Sequence, residues 1–431
     1  MGTVGSRIRD ARRSKRISLT ALAGETCTKA HISAIELGKV HPSPRVLVHV
    51  CETLGLPLDE MAAKCAAEVA RPDYVRTMCE LLRAHGKAEK SLPILEATYH
   101  TVRGKRGELP ICREIGRTYV SLEQFGQAER ALSRAVDLAD RYCEWPAMAE
   151  ACFELGIALC RQGRYADAIE CLSRSAKAAP GAKLNDISVL ALFSLAGCLL
   201  RMGMYGRSLA LYQDIPTSVK PATWLDGTPL GPLAHIGAGV ALYYERDHTN
   251  ALQAASTAIE LLRASNSVAY ISDALNNRAV CLLDLGQPDE AEHALAEALR
   301  LRGGYRNAYA CEKAVFSLTE LSRLHLQKGR LQMAKKTAER GLMLARQYGN
   351  VVEQGQLQAL LMALSPDGSE HCSANVRRVA RRLSTPEERV AFYSAVERVF
   401  RGTRFEAVGT PFLDEAIREA QALSLLSELR F

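Results

Sequence analysis

The sequence predicts an all-α protein in two parts, a five-helix bundle at the N-terminus and a right-handed solenoid of helical hairpins behind it. Three observations predict this. Short apolar stripes at helical spacing, each opened by a capping residue, follow one another through the first seventy positions. A self-similar pattern then returns at intervals of 40 or 43 residues between positions 109 and 345. The charge is divided in the same way: residues 1–46 hold nine Lys or Arg against three acids, a net +6 out of the chain's +7. A basic head on a nearly neutral body points to a polyanion as the partner of the head alone. At 431 residues the chain is too long for one core, as expected of several folding units or an array.

The elements follow in order. Val4, Ile8 and Ala11 are apolar at helical spacing in VGSRIRDARRSK, a first helix that ends near Lys15. Ser18 offers a side-chain acceptor to the free amides of the second helix, LTALAGE, which gives Leu19, Leu22 and Ala23 to a core. Thr28 does the same for the third helix, KAHISAIE, and Gly38 stops it. After HPSP turns the chain, Val46, Leu47, Val50, Cys51 and Leu54 stripe a fourth helix, and Pro57 with LDEM opens a fifth. Five short helices with a tight connection between the second and third describe a DNA-binding helix-turn-helix (HTH) domain. Ile32 and Ile35 fall on the docking face of the third helix, and the polar residues between them face the groove.

These residues resemble the Cro/repressor-type (XRE) helix-turn-helix. Ile8-Arg9, Arg12, Leu22-Ala23, Ile32-Ser33, Ile35-Glu36, Gly38-Lys39 and Pro42-Ser43 stand at that pattern's spacing. The resemblance implies an ion pair between Arg12 and Glu36 that is structural and reads no DNA. Two departures bear on recognition. Leu19 stands where the family has a Gln that touches phosphate, and the turn that follows is one residue shorter, with Ala34 in place of a long polar residue. Ala30 and Ala34 cannot hydrogen-bond a base, so base reading falls to Lys29, His31 and Ser33. Thr28, Lys39 and nearby arginines such as Arg13 are left for phosphates. Each head then reads a modest sequence, and a homodimer on a two-fold site spaced by about 34 Å doubles the contacts.

The best copy of the internal pattern, AEACFELGIALCRQGRYADAIECLSRSAKAAP at 149–180, holds Cys152, Leu155, Gly156, Leu159, Gly163, Tyr165, Ala168, Leu172, Ser175 and Pro180. It resembles the tetratricopeptide repeat (TPR), with Cys152 in that repeat's Trp position. Leu155 and Leu159 face the partner helix, Gly156 and Ala168 let two backbones approach, and Gly163 closes the turn. The position of Ala168 recurs at Ala128, Ser208, Ala251, Ala291 and Ala334, at intervals longer than the usual period of about 34 residues. Residues 72–103 make a degenerate leading pair, and 351–401 with 411–429 make divergent pairs that cap the array. The expected domains are 1–70 for the HTH, 71–401 for the TPR-like repeats and 402–431 for a capping helix.

A solenoid of this kind lines its concave face with first helices. Positions about 200° around the helix from the core leucines point there. Applied to each copy, that phase selects Arg113, Glu114, Arg117, Phe153, Glu154, Arg161, Phe193, Arg201, Tyr243, Tyr244, Asp273, Asn276, Asn277, Glu320 and Arg323, and all but the acids are candidates to hold a ligand. A purely solvated face has no use for Phe153, Phe193 and two tyrosines; the alternative is a face that packs on another part of the protein or on a dimer mate. Asn276 and Asn277 suit an extended peptide, because each amide both donates and accepts. The Pro-rich loop TSVKPATWLDGTPLGP (217–232), which holds Trp224, is either a lid or an ordered surface loop.

An HTH followed by TPRs resembles the RRNPP regulators, the Rgg, PlcR and Rap-related receptors. The resemblance implies a cytoplasmic bacterial homodimer that binds promoter DNA and is switched, in quorum sensing, by a short signalling peptide in the groove. The competing expectation is a TPR interaction adaptor with a vestigial HTH: Leu19, Ala30 and Ala34 favour it, and the concentrated positive charge opposes it. An enzyme fits least, since GxxxxGK[ST], HExxH, GxSxG and GxGxxG are all missing and the ten histidines are dispersed. No catalytic residue, cofactor or metal site is expected. The thirteen cysteines include no Cys-x-x-Cys pair, and their odd number argues against a disulfide framework, which leaves packing as their role. No apolar run approaches the roughly 20 residues of a membrane span, so no membrane partner is expected.

Overall fold

A computed structural model describes residues 2–69, 71–177, 186–218, 224–225, 228–265, 267, 270–302, 308–347, 351–364, 368–383, 386–401, 403 and 405–428. The chain divides into two compact units, Met1–Leu211 and Tyr212–Phe431.

The first unit opens with α1 (Val4–Ser14), α2 (Leu19–Ala23), α3 (Lys29–Glu36), α4 (Pro44–Leu54) and α5 (Leu58–Val69). Each of the first three begins as the side chains dictate. Thr3, Ser18 and Thr28 accept from the amides of Ser6, Ala21 and His31, which satisfies donors that the helix itself cannot. Val4, Ile8, Leu22, Ile32, Ile35, Leu47, Val50 and Met61 close into one core. That core continues into α6 (Pro72–Ala84) and α7 (Ala88–Val102), where Val75, Met78, Leu82 and Leu95 join it. The helix pairs α8 (Glu108–Ser121) with α9 (Phe125–Arg141), and α10 (Trp145–Arg161) with α11 (Tyr165–Lys177), follow. Then come α12 (Asp186–Arg201) and α13 (Tyr205–Ser218).

In the second unit a short antiparallel ribbon, β1 (Trp224–Leu225) and β2 (Thr228–Pro229), pairs Trp224 with Pro229. The rest of the 217–232 loop lies largely outside the described residues. Five pairs come after it: α14 (Leu230–Tyr244) with α15 (His248–Ala264), α16 (Ile271–Asp284) with α17 (Pro288–Leu301), and α18 (Ala308–Gln327) with α19 (Leu331–Gln347). The last two are α20 (Val351–Ala363) with α21 (Gly368–Ala380), and α22 (Pro386–Phe400) with α23 (Glu406–Glu428).

The repeat register is visible in burial. Ala128, Ala168, Ser208, Ala251, Ala291 and Ala334 are all fully buried. Where the small residue is Ser208, its hydroxyl donates to Ala196 O at 2.8 Å, so the buried polar group stays satisfied. Gly156 works differently from its expected role. A Cβ there would stand 2.6 Å from Leu172 Cγ, so a leucine side chain, and not a second backbone, fills the space. Six of the turns inside these pairs hold a residue of positive φ, at Glu123, Gly163, Gly203, Arg246, Gly286 and Gly329, at the same 40- and 43-residue intervals. One helix boundary also differs: α23 starts at Glu406 and runs through Pro411. Packing holds it there, with Phe412 buried and stacked on Tyr393 at 6.3 Å, and this outweighs the local preference of proline to start a helix.

Candidate functional site

The recognition helix α3 is docked by both its apolar and its charged side. Ile32 and Ile35 are 0% and 2% exposed. A Cβ on Gly5 would collide with Ile35 O, so α1 lies tight against the end of α3. Arg12 Nε and Nη2 donate to Glu36 Oε1 and Oε2 at 2.5 and 2.8 Å, and Nη1 donates to Ile17 O at 3.0 Å. This is the pair that the XRE resemblance implied. Its fork geometry ties α3 to α1 and to the turn before α2. The hydrogen bonds that Arg12 donates to Glu36 raise its pKa against the opposing effect of burial.

The opposite side of α3 is open. Thr28, Lys29, Lys39 and Arg13 are exposed, and His31 and Ser33 are half-buried. Among the described residues, Arg13, Lys29 and Lys39 form no ion pair. Thr28 accepts from His31 N at 3.2 Å, which leaves its own hydroxyl hydrogen free to donate outward. Leu37 and Val40 add exposed apolar surface beside Lys39, which sequence inspection did not single out. Tyr74 of α6 donates to Pro42 O at 2.8 Å and so fastens the loop after α3 to the first of the hairpins.

On the first unit's hairpins, the structure brings Arg113 and Arg117 into one charged network with residues of α6 and α10. Arg117 reaches Glu80 at 3.3 Å and Glu154 at 3.1 Å, Arg113 pairs with Glu150, and Arg83 pairs with Glu114. Burial pushes the Glu154 carboxyl up to about 7, against the pull of Arg117 and Arg113. Burial likewise raises Glu114 and lowers Arg113. The two candidate arginines are therefore already engaged by carboxylates. Phe153 is half-buried and packs on the unit's core, and Phe193 is half-buried. Arg161 and Arg201 are exposed at the C-terminal ends of α10 and α12, where unpaired helix carbonyls favour a cation.

In the second unit Tyr243 and Tyr244 line a cavity of ≈540 Å³ with Arg246, His248 and Asp284. Its other wall is α22, through Glu397, Arg398 and Arg401. The two tyrosine rings meet edge-on at 5.6 Å, and Tyr243 meets His248 at 5.2 Å. Burial, with a hydrogen bond to Asp284, raises the Tyr243 phenol. His248 Nδ1 is buried without a hydrogen bond, 4.0 Å from Asp284. Arg398 pairs with Glu320 at 3.0 Å, and Arg401 with Glu397 at 2.6 Å. Arg323 bonds the same Glu320 and so buttresses the wall without lining it. The asparagine tandem is split: Asn276 is 4% exposed and accepts from Ser317 Oγ at 2.8 Å, while Asn277 is half-buried. The α22 residues were missed from sequence because no local pattern places that helix opposite Tyr243.

Among the described residues no group of three His, Cys, Asp or Glu could hold a metal ion, and no helix is long and apolar enough to cross a membrane.

A helix-turn-helix domain family matches residues 3–63, and tetratricopeptide repeat families match 113–183 and 272–305. The protein therefore carries a helix-turn-helix domain followed by tetratricopeptide repeats. Among solved structures, the apo form of RapI shares the fold at a TM-score of 0.64 and 11% identity, over 82% of this chain and 98% of that one. A Rap protein complexed with Competence and Sporulation Factor follows at 0.56 and 12%, over 83% and 99%. Aspartyl phosphate phosphatase F from Bacillus subtilis stands at 0.57 and 10%, over 82% and 94%. At such identities the likeness is one of fold alone. No curated protein sequence matches the chain.

Proposed function

We propose that the protein is a cytoplasmic, homodimeric transcription regulator that binds promoter DNA through α3 and is switched by a ligand, a short signalling peptide, held on its TPR hairpins. The observation that carries this is the docking of α3: Ile32, Ile35 and the Arg12–Glu36 fork hold one side, and the other presents exposed cations. In this scheme Lys29, His31 and Ser33 meet base edges, and Thr28, Lys39 and Arg13 meet phosphates. The ligand contacts are the residues of the second unit's cavity, Tyr243 and Tyr244 foremost. Arg323 and Asn276 stand behind that cavity, bonded to Glu320 and Ser317, as the supports that a ligand disturbs. A Rap protein of the same fold has been solved with Competence and Sporulation Factor bound, which supports a ligand on the hairpins here. The ligand acts only through the difference in its affinity for two arrangements of the heads.

The test is an anisotropy titration with duplex selected from a random pool. Binding should weaken steeply with salt, as counterion release requires. Lys29→Ala should lose roughly 1–3 kcal/mol on the selected site and much less on random duplex. Equal losses on both would reject base reading by Lys29. Absence of salt-sensitive binding to every duplex, with or without ligand, would reject the DNA role altogether.

A further inference from the structure

Two of the thirteen cysteines do more than fill space. Cys160 lies on α10 and Cys198 on α12, on the first helices of consecutive hairpins, and their sulfurs are 2.9 Å apart. That is closer than two thiols sit when they merely pack, and less than about 1 Å from the length of an S–S bond. Both are free thiols. Cys160 is half-buried, so a small solute reaches it, while Cys198 is buried directly behind it. Eight of the other eleven cysteines are buried. Cys143 is an exposed free thiol.

We propose that Cys160 and Cys198 are a redox modification site: a peroxide converts the pair to a reversible disulfide that locks α10 to α12. The Cys160 thiolate attacks one peroxide oxygen, the O–O bond breaks, and Cys160 becomes a sulfenic acid as hydroxide leaves. Cys198 Sγ then attacks that sulfur, the S–O bond breaks, and the second oxygen leaves as water with the thiol's proton. Overall, two thiols and one hydrogen peroxide give one disulfide and two waters, with two electrons passing from sulfur to oxygen. Reduction by a small dithiol reverses it. The division of labour has electrostatic support: the hydrogen bond with Cys198 lowers the Cys160 thiol, against burial and helped by Arg161, while Cys198 is raised. The thiolate forms on the side that the peroxide can reach.

The bond would fix the two helices at the end where Arg161 and Arg201 stand, and so set the spacing between consecutive hairpins of the first unit. It does not depend on what the hairpins bind.

The test uses the full-length reduced protein, treated with hydrogen peroxide, alkylated under denaturing conditions, digested and analysed by mass spectrometry. The expected result is a loss of two titratable thiols, a cross-linked peptide joining Cys160 to Cys198, and recovery of both thiols with dithiothreitol. Cys143→Ser should leave the reaction unchanged. Cys198→Ala should stop it at a Cys160 sulfenic acid that dimedone traps. Should Cys198 stay fully alkylatable in the wild-type protein while Cys160 oxidises, or should Cys143 be the thiol consumed, the proposal is overturned. The wild-type map decides the matter even where a variant fails to fold.

Discussion

Glu154 shows how much one side chain's position sets its chemistry. Its ordinary pKa is 4.5, and burial on α10 pushes it up to about 7 although Arg117 and Arg113 of α8 and Arg83 of α6 pull the other way and Glu114 adds to the rise. The folded state then keeps a proton that the unfolded chain releases near 4.5, so this group's contribution falls as pH rises across that window. Glu154→Gln removes the dependence. Its stability relative to wild type should grow by roughly 2–3 kcal/mol between those two pH values in urea titrations, given about 1.4 kcal/mol per pKa unit. A difference that stays constant with pH would mean the carboxyl ionises normally. At this scale the Arg12–Glu36 fork was legible in advance, because a motif of fixed spacing carries it. The partner of Glu154 was not, since Arg117, which also bridges to Glu80, reaches it from a helix whose approach no local pattern encodes.

At the scale of elements, the turn of positive φ inside six of the pairs repeats as regularly as the buried small residue. Glycine takes that conformation freely at Gly163, whereas a Cβ in the left-handed region costs about 1–2 kcal/mol. Gly163→Ala should therefore lower stability by about 1 kcal/mol, read as a lower thermal midpoint, although nothing lies within 4 Å of the added carbon. An unchanged midpoint would show that the turn relaxes. Helices, caps and turns were readable because each depends on neighbours a few residues away. The placement of α22 was not: Arg398 meets Glu320 across 78 residues, and only the path of the intervening chain brings them together.

At the scale of the molecule, the core of the helix-turn-helix head continues past residue 70. Met61, Ala62, Cys65 and Ala66 of α5 are buried in a core that continues into α6 and α7. A fragment of residues 2–69 exposes that face, and should melt with less cooperativity and at lower temperature than a fragment of 2–141, followed by far-ultraviolet circular dichroism. Equal melting curves would make the shared core irrelevant to the head's stability. The same continuity, with the Tyr74–Pro42 hydrogen bond, gives the first hairpins a direct mechanical route to the loop beside α3.

By itself the sequence determined the all-α class, the five helices of the head with their caps, the Arg12–Glu36 pair and the register of the hairpins. Each of these is written in short-range periodicity or in a motif of fixed spacing. Only the tertiary structure decided which of the candidate side chains remain available. It engaged Arg113 and Arg117 with carboxylates, buried Asn276 against Ser317, left Arg161 and Arg201 exposed, faced Tyr243 with α22, and set Cys160 against Cys198. The reason is physical: whether a polar group is free depends on charges and surfaces brought within a few ångströms by helix packing, and those neighbours lie tens of residues away along the chain.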